Sequence, residues 1–185
     1  MGTVADHLEH HLGKITRGWA SNHDNSVQVV EFRDQPERGA RTLATLGLSL
    51  APLAMPKGRQ VRQELLLCAW ESYDSESLAS VLGSVGDRVA ASGNALLQGE
   101  VLGPGDPVCE GVSMRWFYVS IPVVYDAALG QFDGTTPSTV FAWLIPITDD
   151  EAEFVQTRGW SEFELLLERS EADLLELRRS SIGLS

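Results

Sequence analysis

The ten residues VRQELLLCAW, Val61 to Trp70, constrain the fold more than any other stretch. The run opens with alternating polarity and closes with apolar side chains on both faces. A strand of that kind cannot have one face in water, so it must lie centrally in a sheet with both sides covered. A chain of 185 residues can build one domain with such a covered sheet.

Several other segments read as strands. SVQVVEF, Ser26 to Phe32, is short and β-branched. In TLATLGLSL, Thr42 to Leu50, Leu46, Leu48 and Leu50 alternate with Thr45, Gly47 and Ser49, which predicts a half-buried strand. SMRWFYVSIPVVY, Ser113 to Tyr125, is the richest strand signal, and Pro122 places it near an edge or a bulge. TVFAWLIPI, Thr139 to Ile147, is an apolar strand. A short strand is expected in ALLQGEVLGPGDPV.

Helical spacing appears in three places. Val4, Leu8, Leu12, Ile15 and Trp19 form one stripe behind a Thr3 cap. Leu78, Val81, Leu82, Val85 and Val89 mark a second helix from Ser75, with Gly93 as its stop. Everything after Pro146 and Ile147 reads as helical, with a tight helix pair at TRGWSEF, an extension or restart from Ser170 and a fraying tail at RRSSIGLS. SNHDNS reads as a turn. Strands therefore come in blocks, which predicts a single α+β domain over residues 1–185, a mostly antiparallel or mixed sheet packed by helices.

The acids of TDDEAEF raise the question of catalysis. Asp149, Asp150 and Glu151 could hold a metal or move a proton. Thr148 and Glu151, however, form a T-x-x-E capping box, and Asp149 and Asp150 then sit in the first turn, where negative charge suits the helix dipole. Ser161 and Glu164 repeat the pattern, with Trp160 and Leu165 as a hydrophobic staple. His7 and His11 share a helix face four residues apart, a possible divalent-metal pair, but lack an H-E-x-x-H pattern and a third ligand in sequence. Capping and a solvated helix border are the plainer readings, so no catalytic residue, metal or cofactor is expected. A metal-dependent hydrolase built on these acids and histidines is the enzymatic alternative.

Charge narrows the partners. With 14 basic and 26 acidic residues the net charge is −12, which repels nucleic-acid phosphate and anionic membranes. The N-terminus lacks a signal-peptide core, and no stretch approaches a membrane span. Asp6 stands where a myristoylation signal needs Ser or Thr. Cys68 and Cys109 form neither a zinc pattern nor a disulfide framework. The expectation is a cytoplasmic protein with reduced thiols and a protein partner.

Three stretches in this order resemble the suppressor of fused family: TLGLS at Thr45 to Ser49, RQELLLCA at Arg62 to Ala69, and FAWLIPITDDEAEFVQTRGWSEFELLLE at Phe141 to Glu168. The resemblance covers roughly residues 27–179. It implies a non-catalytic binding protein. Animal members hold transcription factors inactive, and stand-alone bacterial members act as immunity proteins in polymorphic toxin systems. The resemblance transfers no binding residue to this chain. Two protein partners fit it: a cognate basic toxin domain, or an extended peptide bound by a regulatory adaptor.

Overall fold

The computed structural model describes residues 2–20 and 27–183. The chain runs through α1 (Val4–Leu12), β1 (Arg17–Trp19), β2 (Gln28–Arg33), β3 (Ala40–Leu46), β4 (Leu53–Ala54), β5 (Gln60–Trp70), α2 (Ser75–Ser92), β6 (Val101–Leu102), β7 (Trp116–Ser120), β8 (Gln131–Phe132), β9 (Thr139–Ile147), α3 (Asp149–Arg158) and α4 (Trp160–Arg169). The strands make one sheet in the order β1-β2-β3-β5-β9-β7-β6, with β4 paired to β5 and β8 to β9. Of the strand pairs among the described residues, only β5–β9 is parallel, in the register Arg62 to Thr139 through Leu66 to Trp143. The α+β architecture and mixed sheet are as the sequence implies.

The Val61 run is the middle of that sheet. Leu65, Leu67 and Ala69 pack on one face with Leu78, Leu82, Val85 and Val89 of α2. Leu66 and Cys68 point to the other face, with Leu8 of α1, Trp143 and Ile145 of β9, Ala152 of α3 and Phe163 of α4. Each buried leucine contributes about 1.5–3 kcal/mol of transfer free energy. A Leu66→Ala change, which leaves a cavity as well, costs about 2–5 kcal/mol.

Local chemistry sets the helix ends. Thr3 and Asp6 form a capping box, with Thr3 N donating to Asp6 Oδ2 at 2.7 Å and Asp6 N to Thr3 Oγ1 at 3.1 Å. Asp74 caps α2 through Ser77 N at 2.7 Å, and Gly93 closes it. The first stripe does not continue to Trp19. Helix α1 stops at Leu12, where Glu9 accepts from Ile15 N at 3.1 Å and turns the chain, and Trp19 belongs to strand β1.

Four other expectations are corrected. The strand from Thr42 ends at Leu46: Gly47 has φ 111°, a left-handed value that breaks the ladder, and Leu48–Leu50 is one 3-10 turn. Its polar side chains are not in solvent either, since Thr42 and Thr45 are both buried. The Ser113–Tyr125 signal yields a strand only from Trp116 to Ser120, and beyond it the chain turns at Pro122, with Tyr125 N bonded to Pro122 O at 3.2 Å. The Ser161–Glu164 box does not form. Gly159, at φ 93°, is both the C-cap of α3 and the N-cap of α4, and no side chain caps α4. Glu164 instead accepts from the Tyr118 hydroxyl at 2.9 Å, and Trp160 and Leu165, the expected staple, are both exposed.

The C-terminal segment is the fourth correction. From Ser170 to Gly183 the chain is neither helical nor frayed. It passes the end of β5, where Trp70 N donates to Leu175 O at 3.3 Å and Trp70 Nε1 to Asp173 Oδ2 at 2.7 Å. Leu177 packs on the α2 side of the sheet, and Leu175 and Ile182 on the other. The strap thus closes both cores. The SNHDNS turn lies outside the described residues.

Candidate functional site

In the acidic stretch after β9, Asp149 and Glu151 are held by donors. Glu151 N donates to Thr148 Oγ1 at 3.3 Å, and Thr148 N donates to Glu151 Oε2 at 2.9 Å, so the expected capping box is present. Glu151 is completely buried and takes more than a cap. Arg179 of the strap grips it with both terminal nitrogens, at 2.5 and 3.0 Å, and Ile182 N donates to it at 2.9 Å. Asp149 accepts from Arg115 Nε and Nη2 at 3.0 and 2.9 Å and from Trp116 Nε1 at 2.7 Å. The bonds from Arg115, then Trp116, hold its carboxyl below the usual carboxylate range, which makes it a poor proton acceptor. Asp150 stays exposed at the start of α3, 3.5 Å from the Ser181 hydroxyl.

The histidines lie at the other end of β9. His7 stacks on Phe141 with ring centroids 5.3 Å apart, and its Nε2 is 3.1 Å from Leu129 O, a contact in which the ring donates. His11 sits 4.7 Å from His7 between centroids, and burial, then the charges of His7 and His10, push its pKa down. Phe141 and Ile147 are six residues apart along an extended strand, about 20 Å. The structure therefore does not bring the acids and the histidines to one site. Among the described residues no three His, Cys, Asp or Glu side chains are grouped to hold a metal.

A second buried carboxylate was not singled out by the sequence patterns. Glu64, in the middle of β5, is fully buried. Its Oε2 accepts from Thr45 Oγ1 at 2.6 Å, and its Oε1 accepts from Gly47 N and Ser49 N at 3.0 Å and from Ser49 Oγ at 2.6 Å. The Arg62 guanidinium donates to Ser49 O at 2.7 Å and Leu50 O at 2.6 Å. TLGLS and RQELLLCA are thus one structural unit: the carboxylate of one gathers the donors of the other and fixes the turn that carries Leu50. The available signal was a lone acid inside an apolar strand, which must find partners if buried.

Beside that turn a cleft of about 940 Å³ opens between the start of α1, the Gly47–Leu50 turn and the 132–136 loop. Arg62 is the one charged side chain among the described residues lining it, so it offers no acid–base pair. Large apolar side chains exposed among the described residues are Leu50, Ile121, Val123, Val124, Trp160 and Leu165. The outer edge of β7 is covered by β6 and continued by bonds from Val119 N to Glu100 O and Gly99 N to Val119 O, at 2.9 and 2.8 Å. The edge expected at Ser113–Tyr125 is therefore short and largely paired. No helix among the described residues is long and apolar enough to cross a membrane.

Comparison with known proteins agrees with this geometry. Residues 23–180 match the family model of the suppressor of fused protein. The immunity protein YqcF of Bacillus subtilis (strain 168) is 24% identical over 174 residues, which cover 91% of this chain and 88% of YqcF. The crystal structure of a suppressor of fused homologue from Neisseria gonorrhoeae superposes with a TM-score of 0.77 at 22% identity, covering 96% of this chain and 93% of that one. Drosophila Suppressor of Fused superposes with a TM-score of 0.71 at 16% identity, and the match takes in 50% of its length.

Proposed function

The chain belongs to the suppressor of fused family, and on that footing we propose that it works as a non-catalytic, single-domain immunity protein that binds and neutralises a toxin domain. The observation that carries this reading is the similarity to YqcF across nearly the whole of both chains. The site geometry supports it. Glu64, Asp149 and Glu151 are bound to donors that hold loops and helix ends, and the one cleft described above lacks paired acids. A chain of net charge −12 also suits a basic partner, such as a toxin whose own site must hold nucleic acid. The covered edge of β7 favours a folded partner over an added peptide strand there.

Co-expression is the test. The C-terminal domain of a secreted protein encoded beside this gene should arrest growth alone, and this chain should restore it. The purified pair should associate with a Kd below about 1 μM. Rescue without binding, or binding weaker than that, refutes the immunity reading.

A further inference from the structure

The exposed apolar side chains are not scattered. Five of the six come from two segments, 121–124 and 160–165. The fold brings these segments to one corner. Trp160 lies against Gly99 so closely that a Cβ there would meet the Trp160 ring at 2.4 Å. Gly99 N donates to Val119 O at 2.8 Å, and Ile121 follows two residues later. Trp160 and the 121–124 loop therefore flank the same end of β7.

Both segments are held from below. Phe163 is fully buried under α4, and Glu164 accepts from Tyr118 Oη and, at 2.8 Å, from Gln98 Nε2. Tyr125 anchors the loop, its hydroxyl 2.6 Å from Thr42 Oγ1. The aliphatic tips are exposed on this rigid base, Val123 by 66%, Ile121 by 53% and Leu165 by 49%. Rigid apolar groups shown to water mark interaction surfaces more often than isolated exposed leucines do.

The rim is acidic. Glu100, Glu162 and Glu168 are exposed there against two exposed arginines, Arg158 at the end of α3 and Arg169 at the end of α4, which leaves the rim net acidic. Residues 148–185 carry ten acids against four arginines, a net of −6, which is half the charge of the chain. An apolar centre inside an acidic rim fits a basic surface that presents aliphatic or aromatic side chains.

We infer that this corner, centred on Trp160, Leu165, Ile121 and Val123, is where the partner docks, and that the partner is a basic folded domain. The inference rests on the immunity reading. The experiment uses full-length protein and, as probe, the catalytically inactivated toxin domain encoded by the adjacent gene. A Leu165→Ser/Val123→Ser variant should raise Kd roughly 30-fold or more, the scale of a hot spot. A Glu162→Lys/Glu168→Lys variant should slow association roughly tenfold at low salt, with the difference shrinking as salt rises. All four positions are exposed, so unchanged thermal melting keeps folding out of the comparison. Lys57→Ala, on the turn between β4 and β5, serves as the control that binds normally. If the unmodified chain fails to bind the probe, the immunity reading falls and this inference with it. If the chain binds tightly but the corner variants bind equally well, only the docking corner is overturned. The same holds if Leu50→Ser alone weakens the complex.

Discussion

Replacing Arg179 with methionine should be among the most damaging single changes in this protein. The side chain lies in the last turns of the chain, yet only 7% of it is exposed, and its partner Glu151 is fully buried. Methionine keeps most of the stem's packing and removes the charge. Glu151 then retains Thr148 N and Ile182 N as donors but loses both guanidinium bonds. It becomes a buried carboxylate without a counter-charge, and breaking such a pair costs about 3–5 kcal/mol. The change also frees Pro146 O, bonded to Arg179 Nη2 at 3.3 Å, and loosens the strap that seals both cores. For a domain of this size, 3–5 kcal/mol lowers Tm by about 6–20 °C. Urea unfolding of the variant, of Glu151→Gln and of the double variant closes a thermodynamic cycle. The double variant should be clearly less destabilised than the sum of the singles, because the Arg179 loss is mostly the penalty of an unpaired charge. A loss below about 1 kcal/mol for Arg179→Met would refute the claim that the strap closes the fold through this pair.

Three further outcomes are expected. Glu64→Ala orphans the hydroxyls of Thr45 and Ser49 and the amides of Gly47 and Ser49, so urea unfolding should show a loss of about 3 kcal/mol or more, whereas an isolated surface acid would lose almost nothing. Asp149 is held below its ordinary value of 3.8 by Arg115 and Trp116, so its contribution is complete above that pH and fades as pH falls through the lower folded value; Asp149→Asn should flatten this part of the pH–stability curve measured by urea midpoints. Burial pushes the Cys68 thiol up to about 12, and Cys109 is also buried and raised, so a thiol reagent at neutral pH should label neither in the folded protein and both in urea; rapid labelling of the native chain would contradict the packing.

Much of the fold was legible along the chain. The two-sided run at Val61–Trp70 implied a central covered strand, and Thr139–Ile147 appeared with its bounds intact. Thr3, Gly93 and the Thr148–Glu151 box marked helix ends correctly because each involves partners within four residues. The Ser161–Glu164 match looked identical in sequence and failed. Glu164 has partners 46 and 66 residues away, which no local pattern registers. Leu46, Leu48 and Leu50 kept strand alternation on paper, but the Glu64 carboxylate pulls the chain into a turn at Gly47.

The sequence by itself therefore determined the elements whose cause is short-range: periodic apolar faces, helix caps and turn residues. It also determined the acidic balance, through composition, and the family, through the ordered motifs. Only the tertiary structure decided what the acids do. Glu64 reaches donors 15 to 19 residues away, and Glu151 meets Arg179 across 28 residues. A carboxylate in sequence is equally ready to catalyse, cap or pair. Burial removes water from it, and the donors that replace water are chosen by the packing of segments far apart in the chain.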